Sequence, residues 1–188
     1  MTTAMPAKQI VPHSALPAFI QPHIATMIQM AIASKDGSYS VYSKFRVGAS
    51  LLAYPTREFF LEATAAGAQP IPALPLDGSC PSEAAGQTGP QIIPGANVEN
   101  ASYGLTVCAE RTAAVRAITG GRRYFAACVV AADDEESDVW PCGACRQFLA
   151  EFGLDTLIIT IRPNGDISNV LTINELLPNA FTPANLFK

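Results

Sequence analysis

The stretch VCAERTAAVRAITGGRRYFAACVVAA, residues 107–132, sets a helical pattern directly before an apolar run. From Thr106 to about Thr119 the alanines and aliphatic residues recur at helical spacing, and a glycine pair follows, which predicts a helix. The next nine residues, 124–132, are apolar and predict a buried strand. A helix followed by a buried strand favours an α/β fold.

The flanking segments continue this alternation. Residues 16–34 predict a first helix, and residues 44–54 and 91–100 predict two strands that pair as a hairpin. Pro94 places the second of these strands at a sheet edge or a bulge. Downstream we predict a helix over 142–152, strands over 156–161 and 167–171 joined by a turn at 164–166, and a helical turn that Thr172 and Glu175 close as a capping box. The pattern predicts an α/β sandwich around a largely buried sheet.

A long irregular segment, residues 55–90, separates the two hairpin strands. It is rich in Pro, Gly, Ala and Ser and has no sustained period. Such a connection is uncommon inside a compact domain, so we interpret it as an insertion that wraps the surface or stays mobile. Its stretch REFFLEA, residues 57–63, is compatible with a strand or a short helical turn. The length of 188 residues predicts a single domain over 1–188 that carries this insertion.

The composition and net charge of the chain favour some classes of protein over others. Apolar residues make up 49% of the chain and charged residues 15%, which weakly indicates an oligomer. A net charge of -4 argues against binding of long nucleic acids and favours a small substrate. No apolar run approaches the roughly 18 residues of a membrane span, and residues 1–19 lack the pattern of a signal peptide. We therefore expect a cytoplasmic protein with no membrane partner.

Three of the five cysteines form a candidate metal site. Cys142 and Cys145 belong to WPCGACRQFLAEFG, residues 140–153, and lie near a predicted helix start, where thiolates are favoured. A Cys-x-x-Cys pair occurs in redox enzymes, in structural zinc sites and in catalytic zinc sites, so by itself it does not identify the type of site. Cys108 also lies at a predicted helix start and provides a third thiolate, which leaves a fourth position for water, as in catalytic zinc sites. Zn²⁺ is the expected cofactor.

The remaining cysteines and histidines are not needed for this site. His13 and His23 are far upstream, where we expect surface or capping residues. Cys128 is interpreted as a small buried hydrophobic residue and Cys80, within the insertion, as a free thiol.

Two charged residues beside Cys108 suit a catalytic centre. The Cys-x-Glu spacing places Glu110 next to the open metal position, where a carboxylate can transfer a proton from water to a substrate. Three thiolates leave a zinc centre with a net charge of about -1, and Arg111 is placed to offset it. Taken alone, both residues would be read as ordinary charges on a helix.

At this point the sequence resembles a known family. The motifs CAE, residues 108–110, and PCGAC, residues 141–145, resemble the zinc nucleoside deaminases, whose pattern is H-x-E followed by P-C-x-x-C, here with cysteine as the first ligand. Residues 44–53, 95–113, 141–153 and 176–186 resemble the small homotetrameric cytidine deaminases. The resemblance runs from about residue 29 to residue 186 and is interrupted by residues 55–90. It implies a three-layer α-β-α sandwich with a mixed five-stranded sheet.

The resemblance also implies roles for individual residues. Cys108, Cys142 and Cys145 would bind one zinc ion per chain, and Glu110 would be the general acid and base. The expected substrate-binding residues are Phe45 against the pyrimidine, Asn97 and Glu99 at the ribose hydroxyls, Tyr103 near the 5′ side, the backbone at Ala109 and Cys142 along the base edge, and Phe181 in a pocket between subunits.

The implied reaction is hydrolytic deamination of cytidine, and of 2′-deoxycytidine, to the uridine and ammonia in pyrimidine salvage. A deaminase of a cytosine-containing nucleoside antibiotic is the nearest alternative, since it shares the zinc core and differs around the sugar. A structural zinc module would need a fourth ligand, and a thiol oxidoreductase would not use Cys108. An editor of RNA or DNA is disfavoured by the acidic composition.

Overall fold

A mixed five-stranded sheet is the middle layer of the computed structural model, which describes residues 10–66 and 89–186. The strands lie in the order β2-β1-β3-β4-β5, and neighbours are antiparallel except for the parallel pair β3 and β4. Their bounds are β1 (Val47–Tyr54), β2 (Gln91–Ala96), β3 (Tyr124–Ala132), β4 (Leu157–Ile161) and β5 (Ile167–Thr172). The predicted hairpin of β1 and β2 is confirmed, and Pro94 lies on the edge strand β2.

Helices cover both faces of the sheet. Their bounds are α1 (Gln21–Ser34), α2 (Arg57–Ala66), α3 (Ala109–Thr119), α4 (Gly143–Ala150), α5 (Ile173–Leu176) and α6 (Pro183–Leu186). Hydrophobic residues of α1 and α2 pack in one core, and those of α3, α4 and α5 pack in the other. The predicted three-layer α-β-α sandwich is confirmed. None of the described helices has the length and apolar character that crossing a bilayer requires.

Side chains that alternate along a strand contribute to both hydrophobic cores. In β1, Leu52 and Tyr54 face the α1 core, whereas Leu51 and Ala53 face the α3 core, and all four are fully buried. Because successive side chains of a strand point to opposite faces, one apolar strand serves both helical layers. The sheet is therefore largely buried, as predicted.

Helix α3 begins later than predicted. Val107 forms a β-bridge with Val98, and the backbone groups of the two residues exchange hydrogen bonds of 2.9 and 3.0 Å. This pairing holds residue 107 extended, so the helix starts at Ala109 instead of Thr106. Glycine lets the helix then lie close to the sheet. A Cβ atom built on Gly95 of β2 would lie 2.4 Å from the carbonyl oxygen of Ala109.

The first part of the predicted insertion is regular. Residues 57–66 form the ten-residue helix α2, so the helical alternative for REFFLEA is correct and the expectation of an irregular segment is wrong here. The ring of Phe60 packs edge-on against Tyr54, with the ring centroids 5.5 Å apart. This contact packs α2 on β1. Residues 67–88, including Cys80, lie outside the described residues.

His23 is buried, so the expectation that it lies on the surface is wrong. It belongs to α1 and its side chain is fully buried. One turn along the same helix, the carbonyl oxygen of Met27 accepts a hydrogen bond of 2.7 Å from Ser50 of β1, so this stripe of α1 faces the sheet. His13 is exposed, in a short 3-10 turn. The predicted capping box of Thr172 and Glu175 is present at the start of α5.

Candidate metal centre

Three cysteines meet at the starts of two helices. Cys108 is the N-cap residue of α3, Cys142 is the N-cap residue of α4, and Cys145 lies in the first turn of α4. Helix α3 leads into β3 through a tight glycine turn, and α4 follows β3 after a loop. Both helix starts therefore lie near the carboxyl end of β3, which brings distant parts of the sequence together.

The geometry of the three sulfur atoms fits a zinc ion. The Sγ atoms of Cys108 and Cys142 are 3.8 Å apart, those of Cys142 and Cys145 are 3.5 Å apart, and all three lie within 4.8 Å of one another. Tetrahedral zinc with Zn–S bonds of about 2.3 Å requires sulfurs about 3.8 Å apart. Among residues 10–66 and 89–186, no His, Cys, Asp or Glu atom joins the three as a fourth ligand within that span. The residues thus fit a three-thiolate site with one open position.

Glu110 lies beside this cluster and is shielded from water. It occupies the first turn of α3, and only 3% of the residue is exposed. Burial raises the pKa of Glu110 to about 7, although a backbone hydrogen bond and a hydrogen bond with Cys145 act in the opposite direction. The carboxyl group is therefore within reach of a cysteine of the cluster without being one of the three ligands.

Arg111 contacts the cluster directly. Its Nη2 atom lies 3.6 Å from Cys108 Sγ and donates a 2.9 Å hydrogen bond to the carbonyl oxygen of Thr106. A hydrogen bond from Cys145 and the adjacent guanidinium of Arg111 both lower the pKa of the Cys108 thiol, and they outweigh its partial burial. The guanidinium therefore favours the thiolate form that a metal binds.

Asn97 organises the chain around Phe45. Its Nδ2 atom donates a 3.0 Å hydrogen bond to the carbonyl oxygen of Phe45, and its Oδ1 atom accepts hydrogen bonds from Ser38 Oγ and from the backbone N–H of Val47. Phe45 is 39% exposed, so part of the residue is open to solvent. The side chain of Asn97 has two amide hydrogens, and among the described residues only the hydrogen bond to Phe45 is donated by it.

Glu99 and Tyr103 border a cleft of about 320 Å³. The Glu99 carboxylate accepts hydrogen bonds from the hydroxyl and backbone N–H of Ser43 and from the backbone N–H of Tyr42. The Ser43 hydroxyl bond is the main cause of the lowered pKa of Glu99, which is thus an ionised acceptor. The rings of Tyr42 and Tyr103 have centroids 6.0 Å apart on the cleft wall, which Thr106 completes.

The cleft adjoins the cysteine cluster. Thr106 lines the cleft and its carbonyl oxygen binds Arg111, which in turn contacts Cys108. The β-bridge of Val98 and Val107 joins the same two regions, because Glu99 follows the first residue and Cys108 the second. The cleft and the cysteine cluster are therefore connected through Thr106 and Arg111.

The two remaining predicted residues lie elsewhere around the site. Ala109 is fully buried at the first position of α3, against Gly95. Phe181 does not line the cleft. Its ring is 57% exposed, and its carbonyl oxygen accepts a 2.7 Å hydrogen bond from Gln147 of α4.

The sequence did not predict that Tyr42, Ser43 and Thr106 line the cleft. The first two belong to SVYSKF, residues 40–45, directly before Phe45, so their proximity to an expected binding residue was an available signal. Thr106 gives no such signal, because its place follows from the bridge at Val107. Arg146 was also missed. It donates hydrogen bonds to the carbonyl oxygens of Pro141 and Leu176 and so fixes the loop that carries Cys142.

This chain is similar in sequence to several known proteins. Residues 84–161 match the family described as the cytidine and deoxycytidylate deaminase zinc-binding region. The chain is 40% identical over 161 residues to the cytidine deaminase of Halalkalibacterium halodurans, with 85% of this chain and 95% of that protein covered. A weaker match, 32% identical over 100 residues, is to the blasticidin-S deaminase of Bacillus cereus and covers 49% of this chain and 69% of that protein.

The fold has a solved relative of the same kind. The crystal structure of cytidine deaminase from Burkholderia pseudomallei aligns with a TM-score of 0.60 and 32% sequence identity, over 84% of this chain and 98% of that one. The match extends over nearly the whole relative. The chain therefore belongs to the cytidine and deoxycytidylate deaminase family of hydrolytic enzymes.

Proposed function

We propose that this protein is a zinc-dependent cytidine deaminase that converts cytidine and 2′-deoxycytidine to the uridine nucleosides and ammonia. The observation that carries the proposal is the position of Glu110, a buried carboxyl group beside three cysteines whose sulfur spacing suits zinc. The cleft bordered by Glu99 and Tyr103 next to that cluster supports a nucleoside substrate. The relative with 95% of its length covered is itself named a cytidine deaminase.

Cys108, Cys142 and Cys145 would hold the metal, with Arg111 offsetting the charge of the thiolates. When bound, the metal supplies Lewis-acid activation of a water molecule. In the overall reaction the water oxygen bonds to C4 of the cytosine ring, the C4–N4 bond breaks, and the amino group leaves as ammonia. These changes require one proton to move from the water to the ring and another to the departing nitrogen.

Glu110 is the group that would move these protons. Its carboxylate would accept one proton from the attacking water and deliver it to ring N3. It would then take the second proton from the new C4 hydroxyl and pass it to the departing amino nitrogen as the C4–N4 bond breaks. Exclusion of solvent at this position strengthens the interaction with charge that develops on the ring. The second oxygen of the same carboxyl group can accept a hydrogen bond from the amino group and orient the substrate.

Phe45, Asn97 and the cleft residues would bind the rest of the nucleoside. Phe45 is partly exposed and would stack on the pyrimidine. Glu99 accepts three hydrogen bonds from the described residues, and a carboxylate has about four acceptor sites, so one would remain for a sugar hydroxyl. Asn97 would donate its remaining amide hydrogen on the same side. Tyr103 would border the 5′ end, and the backbone at Ala109 and Cys142 would bind the base edge.

A deaminase of a cytosine-containing nucleoside antibiotic is the second candidate, because the chain also resembles blasticidin-S deaminase. That resemblance covers about half of this chain, whereas the cytidine deaminase relative covers 85% of it. The ribose-side arrangement of Glu99 and Ser43 further favours a plain nucleoside.

The experiment is a substrate panel with the purified, zinc-loaded protein. Cytidine, 2′-deoxycytidine, cytidine 5′-phosphate and blasticidin S are each incubated with the protein, and loss of the cytosine chromophore and release of ammonia are followed over time. We expect conversion of the first two. Rapid conversion of blasticidin S without conversion of cytidine would contradict the proposal and support the second candidate.

The proposal also includes the cellular location, the pathway and the oligomeric state of the enzyme. We place it in the cytoplasm, in pyrimidine salvage, as a homotetramer in which Phe181 closes a pocket on a neighbouring subunit. The exposure of the Phe181 ring in the single chain is compatible with such a contact. We further propose that residues 1–188 form one domain with an insertion at 55–90, since α2 packs on the same core as α1.

A further inference from the structure

Asp133 joins two chain segments at the end of β3. Its Oδ1 atom accepts a 2.7 Å hydrogen bond from Lys35 Nζ, and its Oδ2 atom accepts another of 2.7 Å from Arg46 Nε. The Lys35 side chain is only 8% exposed, and that of Asp133 is 36% exposed. Lys35 lies at the carboxyl end of α1, so this carboxylate connects α1, the sheet and the segment that precedes β1.

The segment that Arg46 belongs to has no regular structure of its own. Residues 44–46 lie between a turn and the start of β1. Lys44 has a φ of 60°, a conformation that residues with a side chain seldom adopt without support from their surroundings. The position of the intervening Phe45 therefore depends on contacts made by neighbouring residues.

Those contacts lie on both sides of Phe45. On one side, the backbone N–H of Phe45 donates to Ser43 Oγ, which is bound to Glu99, and the carbonyl oxygen of Phe45 accepts from Asn97. On the other side, Arg46 is bound to Asp133. Ser43 and Glu99 of the first set line the cleft, whereas Asp133 follows the end of β3.

Arg46 also approaches a second carboxylate, that of Asp36, which can be compared with Asp133. Its Nη1 atom is 3.2 Å from Asp36 Oδ1, but the Asp36 side chain is 83% exposed. An exposed pair of this kind contributes little, because water and salt screen it. Asp133 is more enclosed and holds its second partner, Lys35, in the core, so it provides the fixed point.

We propose that Asp133, acting through Arg46, is a positioning residue that fixes Phe45 for stacking on the pyrimidine ring of the substrate. The inference rests on the proposed function, because it takes Phe45 to contact the base. Asp133 itself touches neither the cysteine cluster nor the cleft. Its loss should therefore change substrate binding and leave the reacting centre intact.

The test measures kcat and KM for cytidine in zinc-loaded Asp133→Asn and Arg46→Met variants, with Asp36→Asn as the matched control. We expect KM to rise about 10-fold in the first two variants with kcat changed less than about 3-fold, since partial loss of stacking weakens binding. The zinc content and the KM of the control should equal those of the parent. Asp133→Asn also leaves Lys35 without its charged partner, so Arg46→Met keeps the test valid if that variant is unstable.

A double variant shows whether the effect passes through Phe45. In a Phe45→Ala background, Arg46→Met should change KM by less than about 2-fold, because the ring that it positions is already absent. An equal rise of KM in both backgrounds would overturn the inference, as would a parental KM for Arg46→Met. If the parent itself fails to deaminate cytidine, the proposed function fails, and the inference falls with it.

Discussion

The Sγ atoms of Cys108 and Cys142 lie 3.8 Å apart although 34 positions separate the two residues in the chain. Each residue is the N-cap of a helix, in extended conformation, with its side chain at the helix start. A metal that binds both thiols would therefore connect α3 to α4 directly. Such a metal would support the fold as well as the proposed chemistry.

Removal of the metal should lower the melting temperature. A ligand that binds only the folded chain stabilises it in proportion to the logarithm of its concentration over its dissociation constant. We expect chelation to lower the melting temperature and added zinc to restore it, as followed by calorimetry. Cys142→Ala should melt at the same temperature with and without chelator. A parent protein that is insensitive to chelation would argue against a metal between the two helices.

Replacing Arg111 by glutamine should weaken the centre without changing its ligands. The guanidinium contacts Cys108 Sγ and Thr106, and loss of such a supporting contact costs about 10- to 100-fold in metal affinity or activity. Zinc affinity and kcat of Arg111→Gln are the measurements, and Arg116→Gln on the same helix is the control. Equal effects of the two changes would show that proximity to Cys108 is irrelevant.

Gly95→Ala should move the first turn of α3. The new Cβ atom would lie 2.4 Å from the carbonyl oxygen of Ala109 and 2.5 Å from the backbone nitrogen of Ala113, so the backbone must shift. Overpacking of this kind costs about 1–3 kcal/mol, and here it also displaces Glu110. We expect lower stability in urea and a lower kcat. Gly89→Ala, where a Cβ meets nothing within 4 Å, should match the parent, and a similar result for Gly95→Ala would refute the close approach.

His23 should make the stability of the fold depend on pH. Burial lowers the pKa of His23 from 6.5, and neither ring nitrogen has a hydrogen-bond partner among the described residues. The unfolded chain thus takes up a proton below pH 6.5 that the folded chain does not, and stability falls as the pH drops below that value. Urea titrations between pH 5 and pH 8 should show this fall in the parent and in His13→Gln, and a smaller one in His23→Gln. Identical pH profiles for all three proteins would contradict the assignment.

Local patterns in the sequence predicted most of the fold and the cysteines that meet at the starts of α3 and α4. The apolar run at 124–132 and the paired segments before it predicted the buried sheet, because side-chain alternation and turn residues are local signals. Cys108 and Cys142 were predicted from their places at helix starts, and the structure brings their sulfurs together. The roles of the cleft residues remain predictions.

Features that depend on tertiary contacts could not be predicted in the same way. His23 is polar and occurs far from the motifs, yet α1 places it in the core. For residues 57–63 the sequence left strand and helix open, and the contact of Phe60 with the ring of Tyr54 could not be seen from composition. Asp133 follows directly after the apolar run at 124–132, whereas its partners come from the distant residues 35 and 46.

The most direct test of the central claim compares cytidine deamination by the parent and by Glu110→Gln at equal zinc content. Glutamine keeps the shape of the side chain but cannot accept and return a proton, so we expect kcat to fall by about 100- to 10,000-fold while zinc and nucleoside binding persist. Deamination by Glu110→Gln at a rate near that of the parent would contradict the account, because the buried carboxyl group would then have no part in the reaction.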